Sequence, residues 1–423
     1  MGDVNMKQRR ITILLLVLAM VTMLISACGT STGEQGVSGS AGAAESGQPG
    51  EKVKLKVATW AGASELKEFE ELIAQLNEAS SEYTIEVQSI PADYYQKLQA
   101  MIAGKQAPDF MWLSQEYVAQ YAKLGAIKPL DEELAKTDFN RDDYFQGALD
   151  VGVNQGQIYA LPWISQPYVL YYNQDMYEEA GIELPNENWT WDDFIDTGKK
   201  LTKDGQWGGL IYNMPLPMFL WSYGGDVFDK EGNITLNSAE AMQGLEMYQK
   251  IAKSGVLPER AQADSMGGAD MFKTGKVAMF VGGAGDDFEK TATFNVGMTL
   301  APKGTEQVTF SWIGVTAMSK TTKNPEVAAK ALQDMTKAMH NWKVVAPTKS
   351  SFDAISTIRP DKDYAVDTIR KASEFARGFN NQPQQAEIDG VIWEKLIQPL
   401  EKGEDVGQAV DATIARLHDI IKK

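Results

Sequence analysis

Aromatic side chains set among carboxylates and amides hold ligands that carry both an apolar C–H face and hydroxyl groups. The ring packs on the one, and the polar atoms hydrogen-bond the other in a desolvated cleft. This chain places such residues in predicted loops: Trp60, Tyr94, Tyr95, Trp112, Trp163, Tyr168, Trp221, Tyr223 and Trp312. Gln115, Glu116, Asp226, Asp286 and Asp287 are the polar candidates, and Gly283, from the glycine-rich run 281–285, joins them as a candidate contact. Each aromatic has an alternative role as core packing, and Trp189 and Trp191, flanking a predicted helix start, read as structural.

Other chemistry is largely excluded. There are two histidines, His340 and His418, and one cysteine, so a Ser-His-Asp or Cys-His nucleophile, a zinc site of the HExxH type and a thiolate metal site lack their residues. No G-x-x-x-x-G-K-[ST] loop is present to cradle a phosphate, and no cofactor is implied. With 57 Asp and Glu, glycoside hydrolysis by paired carboxylates stays open. A net charge of -17 argues against nucleic acid or an anionic lipid surface as partner.

The single cysteine, Cys28, ends an export-type segment. Lys7, Arg9 and Arg10 precede the apolar run 11–27, the order of a basic region and hydrophobic region in a signal peptide. Ile25-Ser26-Ala27-Cys28 resembles the bacterial lipobox, which implies cleavage after residue 27 and a diacylglyceryl thioether on Cys28. Two acyl chains anchor a protein far better than one. Residues 28–52 are small and polar, too poor in apolar surface to fold, and read as a flexible tether.

The remaining body exceeds what one core usually serves, so two lobes are expected. Val53, Leu55 and Val57 alternate with lysines as in a strand; Ser64 is placed as the N-cap of a helix carrying Leu66, Phe69, Leu72, Ile73 and Leu76 on one face. Tyr83, Ile85 and Val87 alternate again, a helix follows to Gly104, and Asp109-Phe-Met-Trp-Leu113 reads as a buried strand. This β-α-β-α-β order is α/β with a parallel sheet, whose ligand loops lie at the carboxyl ends of the strands. Further on, Asp175 is expected to cap a short helix ended by Gly181, and Thr190 with Asp193 forms a capping-box pattern.

Gly156-Gln-Ile-Tyr-Ala-Leu-Pro-Trp163, Leu170-Tyr-Tyr-Asn-Gln-Asp-Met-Tyr177, Trp189-Thr-Trp-Asp-Asp-Phe194, Phe272-Lys-Thr-Gly-Lys-Val-Ala-Met279 and Asn324-Pro-Glu-Val-Ala-Ala329 together resemble the extracellular solute-binding proteins of ABC importers, the maltose-binding-protein family. Where many relatives carry an arginine after a proline, this chain has Pro347-Thr348-Lys349, which argues against an anionic contact there.

The resemblance implies a two-lobed periplasmic-binding-protein-like fold with hinge strands crossing between the lobes. The expected N-terminal lobe is 53–162 with 277–315, and the other lobe 166–275 with 317–423. Crossings are expected near residues 163–169, 276–279 and 313–317. It further implies a monomer that catalyses nothing. That protein would capture a mono- or oligosaccharide by hinge closure and deliver it to permease subunits while lipid-anchored on the outer face of the cytoplasmic membrane. Alternatives are an exported carbohydrate-active enzyme using paired carboxylates, a surface sensor presenting its ligand, and, within binding proteins, a cationic ligand such as a polyamine.

Overall fold

The computed structural model describes residues 51–342, 345–379 and 382–421; the signal segment, Cys28 and nearly all of the tether lie outside them. From Lys52 onward the chain is one compact unit. Among its described residues no helix is long and apolar enough to cross a membrane.

The first three strands and two helices follow the alternation in the sequence. β1 (Val53–Thr59), α1 (Ala63–Ala79), β2 (Tyr83–Ser89), α2 (Tyr94–Ala103) and β3 (Phe110–Ser114) form a parallel β2-β1-β3 sheet, with Val57 opposite Val87 and Phe110. α1 starts two residues earlier than expected: Gly62 is its cap position, no side chain caps it, and Ser64 sits in the first turn.

After a short hairpin, β4 (Val153–Asn154) and β5 (Gln157–Ile158), the 14-residue β6 (Ala160–Asn173) runs through both halves of the molecule. Its residues 160–167 pair with β9 (Thr309–Met318), while residues 168–173 pair with β7 (Met279–Gly283) and β8 (Val296–Leu300). β9 in turn pairs antiparallel with β3 through residues 314–318 and lies between β3 and β6. The result is a two-lobed α/β molecule in which β6 and β9 are shared. A further shared segment, β10 (Ala376–Arg377), runs parallel to residues 309–310 of β9.

This register corrects the expected division of the chain. Residues 279–283 and 296–300 pair with the second half of β6, so 277–308 lies with the lobe that holds 168–275, and no crossing occurs near 276–279. The helix of residues 325–340, expected on that same lobe, packs instead with β1, β2 and α1. Its Ala328, Leu332 and Met335 share a core with Leu55, Phe69 and Trp112. The remaining labelled helices in chain order are α3 (Gln174–Ala180), α4 (Trp191–Leu201), α5 (Leu216–Trp221), α6 (Ala239–Ala252), α7 (Pro325–His340), α8 (Val366–Phe375), α9 (Gln385–Ile392) and α10 (Val406–Ile421). α5, α6, α9 and α10 build the second lobe's core around Phe219, Leu245, Ile388 and Leu417.

The caps explain two of these helices. Thr190 accepts from the Asp193 N–H at 3.2 Å and Asp193 accepts from the Thr190 N–H at 2.8 Å, a complete capping box for α4. α3 is capped by Asn173, which accepts from the Met176 N–H at 3.2 Å; Asp175 lies inside the first turn, and Gly181, at φ +64, ends the helix.

Candidate functional site

The carboxyl ends of β1 and β3 carry the first face of the site. Trp60, half-buried just past β1, lies edge-on to Tyr94 (5.5 Å between ring centroids) and Trp112 (5.2 Å), with Trp312 at 6.5 Å. Trp312, on the shared part of β9, is also half-buried and packs against the cores of both lobes. Its indole N–H donates to Ser114 Oγ at 3.2 Å, and that hydroxyl in turn donates to the Glu116 carboxylate. Tyr95 accepts from the Ser114 N–H at 2.8 Å and stacks on Tyr117, 3.5 Å between centroids. Burial raises the Tyr95 hydroxyl well above its ordinary pKa, so it stays a neutral hydrogen-bonding group.

Three expected contacts on this face are core. Trp112 is fully buried and Trp163 only 2% exposed; their rings lie 4.4 Å apart, and Trp163 stacks on Trp342. They form the floor under Trp60. Tyr94 is buried too, its hydroxyl tying the ends of β1 and β3 together by donating toward the carbonyls of Ala58 and Trp112 at 3.1 and 2.9 Å.

Gln115 links this face to the other lobe. Its buried side chain donates to the Ser311 carbonyl at 3.2 Å and accepts from the Phe379 N–H at 3.2 Å. Phe379 follows β10 and lines a cavity of about 260 Å³ together with Trp221, Asp226, Gln385 and Asp389. Arg377 lies over the Trp221 ring at 4.6 Å and pairs with Asp226 at 3.1 Å. Burial pushes the Asp226 carboxyl up, opposed first by its bond from the Val227 N–H and then by the Arg377 charge. Asp389 is also pushed up, by burial first and by the charge of Glu116 as well, which brings the two faces within electrostatic reach of each other.

The remaining candidates fall elsewhere. Tyr223 covers Gly304, where a Cβ would come within 2.7 Å of its ring, and its hydroxyl is raised by burial and by Asp192 at the start of α4. It lines no part of the cavity. Gly283 is buried in β7 opposite Tyr168, and its carbonyl accepts from the Tyr171 hydroxyl at 2.9 Å. Tyr168, half-buried, packs edge-on to Phe310. Asp287 pairs with Arg359 at 2.9 Å, a structural tie.

Asp286 sits in the turn after β7, its carboxyl pushed up to about 6 by burial first, with Asp287 and Glu289 adding and Lys362 opposing. Its folded-state value is raised, so the fold bears a cost that is absent below about pH 4 and complete above about pH 6. Asp286→Asn is expected to gain stability over the parent as pH rises through that window, read as a growing gap between their urea midpoints; equal midpoints at pH 4 and pH 7.5 would count against this placement.

Arg377, Phe379, Gln385 and Asp389 are the residues that sequence reading missed. Nothing local marks them: they belong to a connecting segment and a helix face that only the third shared segment brings to the cavity. Of the expected aromatics, Trp60, Tyr95 and Trp312 are half-buried at the first face, while Trp221 is as buried as Trp163 and forms part of the cavity wall under Arg377.

Residues 62–339 match the family model of the bacterial extracellular solute-binding proteins. The chain is 25% identical over 388 residues to a putative binding protein of Brucella abortus, covering 84% of this chain and 90% of that one. It is 24% identical to the maltodextrin-binding protein of Bacillus subtilis, covering 83% and 86%. Its fold matches an ABC substrate-binding protein of Listeria monocytogenes solved in complex with cycloalternan, with a TM-score of 0.74, 22% identity, and 88% and 100% of the two chains covered.

Proposed function

The chain belongs to the bacterial extracellular solute-binding proteins, and on that premise we propose that it captures a carbohydrate in the cleft between its lobes and hands it to an ABC permease. The observation that carries the carbohydrate reading is the cluster of half-buried Trp60 and Trp312 beside the hydrogen-bonded Ser114 and Glu116 at the carboxyl ends of β1 and β3. Rings there offer packing surface to C–H faces, and carboxylates accept from hydroxyls. The relative named for maltodextrin and the similar structure solved in complex with cycloalternan support the same class. Closure is a hinge motion about β6, β9 and β10, the segments that join the two halves. The lipobox at Cys28 supports anchoring at the outer face of the cytoplasmic membrane, with the tether letting a monomeric body reach the permease.

Thermal unfolding against mono- and oligosaccharides, amino acids, peptides and polyamines tests the reading, with product analysis alongside. A ligand that binds only the folded state at 100 times its Kd stabilises by about 2.7 kcal/mol. A shift with one saccharide class and no product is expected; a shift only with an amine or peptide would overturn the carbohydrate assignment, and turnover would make the protein an enzyme. With the ligand in hand, Trp312→Ala is expected to weaken binding about tenfold, roughly 1.4 kcal/mol for a lost aromatic face. Tyr223→Phe should leave Kd unchanged, by calorimetry; equal effects of the two would remove Trp312 from the site.

A further inference from the structure

The glycine-rich run 281–285 makes room for two polar side chains. A Cβ at Gly285 would stand 2.5 Å from Gln166 Oε1, and one at Gly282 would stand 2.8 Å from Asp286 Oδ2. With no Cβ at either position, Gln166 accepts from the Gly285 N–H at 2.9 Å and the Asp286 carboxylate folds back over the glycines. Arg359 holds the same turn from its other side, donating to the Gly285 carbonyl at 3.0 Å.

Asp286 lies off the two faces described above, yet it abuts the open side of the shared strands. Along β6 and β9, half-buried Gln166, Tyr168 and Trp312 interrupt otherwise buried runs, and Gln166 stands opposite Trp312 in the register. Gln166 Oε1 and Asp286 Oδ1 flank Gly283 together, 3.4 and 3.7 Å from where its Cβ would be. The neighbouring carboxylates all have cationic partners: Asp287 and Asp361 pair with Arg359 at 2.9 and 2.6 Å, and Glu289 with Lys362 at 2.7 Å. Asp286 takes the Gly283 N–H, and among the described residues no side chain hydrogen-bonds its carboxylate. Its ionisation costs the fold stability that no internal partner returns, and groups of that kind concentrate at binding sites.

We propose that Asp286 is a specificity-determining acceptor: a captured ligand must bring a hydroxyl or ammonium hydrogen to its carboxylate, beside Gln166 and Trp312. The inference rests on the capture reading and names the residue that selects for a donor-bearing ligand. Because only the ionised carboxylate accepts such a hydrogen, a proton competes with the ligand. Burial, with Asp287 and Glu289 adding, pushes the carboxyl up to about 6, and Lys362 from the segment 360–365 opposes them. The β6 neighbours Tyr168 and Tyr171 are held neutral by burial, and Arg359 is engaged by Asp287 and Asp361. At pH 5 the binding-competent fraction is therefore about one in ten, which weakens apparent affinity about tenfold relative to pH 7.5. Asp286→Asn removes the competition and replaces a charged acceptor with a neutral one, so its Kd is expected to be about tenfold weaker at pH 7.5 and level with pH.

The test is calorimetric titration of the full chain in detergent at pH 7.5 and 5.0 with maltotriose, α-1,5-linked arabinotriose, β-1,4-linked galactotriose and spermidine. Asp226 and Asp389 are also pushed up by burial, so the dependence is assigned from the difference between the parent and Asp286→Asn. The expected result is a saccharide whose Kd weakens about tenfold at pH 5.0 in the parent and less than twofold in the variant. A parent Kd that is equal at the two pH values, or a variant that keeps the parent's Kd and slope, overturns the role of Asp286 and leaves the carbohydrate reading standing. Binding of spermidine alone, with the slope abolished by Asp286→Asn, overturns the carbohydrate reading and upholds the acceptor. Binding of none of the four overturns both.

Discussion

Lys362→Met is expected to destabilise the protein by about 3–5 kcal/mol, the cost of leaving a buried charge without its partner. The Lys362 side chain is fully buried and that of Glu289 is 8% exposed, with 2.7 Å between ammonium and carboxylate. The ammonium also donates to the Tyr171 hydroxyl at 3.2 Å, and Glu289 accepts from Tyr364 at 2.9 Å. Burial depresses the lysine's pKa and Glu289 opposes that shift, so the pair is held charged only because both members are present. The double variant Lys362→Met with Glu289→Gln is therefore expected to recover most of the loss. Lys136 and Glu326, whose side chains are 57% and 69% exposed, supply the comparison, since a solvated pair of this kind contributes at most about 1 kcal/mol. Urea unfolding of the four variants in a double-mutant cycle gives the coupling directly. A Lys362→Met loss no larger than that of Lys136→Met would contradict the burial on which the argument stands.

Gly378→Val is the second large effect expected, and it acts on stability and binding together. A Cβ at Gly378 would stand 2.1 Å from Val151 Cγ1 and 2.4 Å from Gln115 Oε1, so either the Gln115 amide and Val151 are driven aside or the segment after β10 shifts. Overpacking of this kind costs about 1–3 kcal/mol, and breaking the Gln115 bridge leaves the Phe379 N–H and the Ser311 carbonyl unpaired at about 1–3 kcal/mol more. Ligand affinity is expected to drop at least tenfold, because Phe379 is displaced from the cavity it lines. Gly390→Ala, in α9 where a Cβ would meet nothing, is the contrast and is expected to gain about 0.5–1 kcal/mol. If Gly378→Val matched the parent in urea midpoint and in Kd, the shared segment would not be the close-packed joint described here.

Much of the protein was legible where information is local. The alternation of Val53, Leu55 and Val57, and of Tyr83, Ile85 and Val87, gave β1 and β2 because a half-buried strand presents every second residue to the core. The Thr190 and Asp193 spacing gave the start of α4 because a capping box is complete within four residues. The extended backbone of Asn173 decided the cap of α3 against Asp175, a choice that depends on dihedral angles the residue types alone do not carry.

What the sequence by itself determined is the class of the molecule: an exported α/β body rich in loop aromatics, poor in histidine and cysteine, with family motifs spread along it. Tertiary structure alone decided the rest. Residues 277–308 lie in the second lobe because β7 and β8 pair with the far half of β6, and α7 lies in the first because β9 returns between β3 and β6. Trp112 and Trp163 became floor while Trp60 and Trp312 kept a free edge, although all four are indoles near strand ends. Strand pairing over more than a hundred residues is a non-local choice, made by whichever register buries the most apolar surface while satisfying every backbone group. That choice, and not any local pattern, carries Phe379 and Asp389 to the second-lobe cavity and Arg377 onto the Trp221 ring.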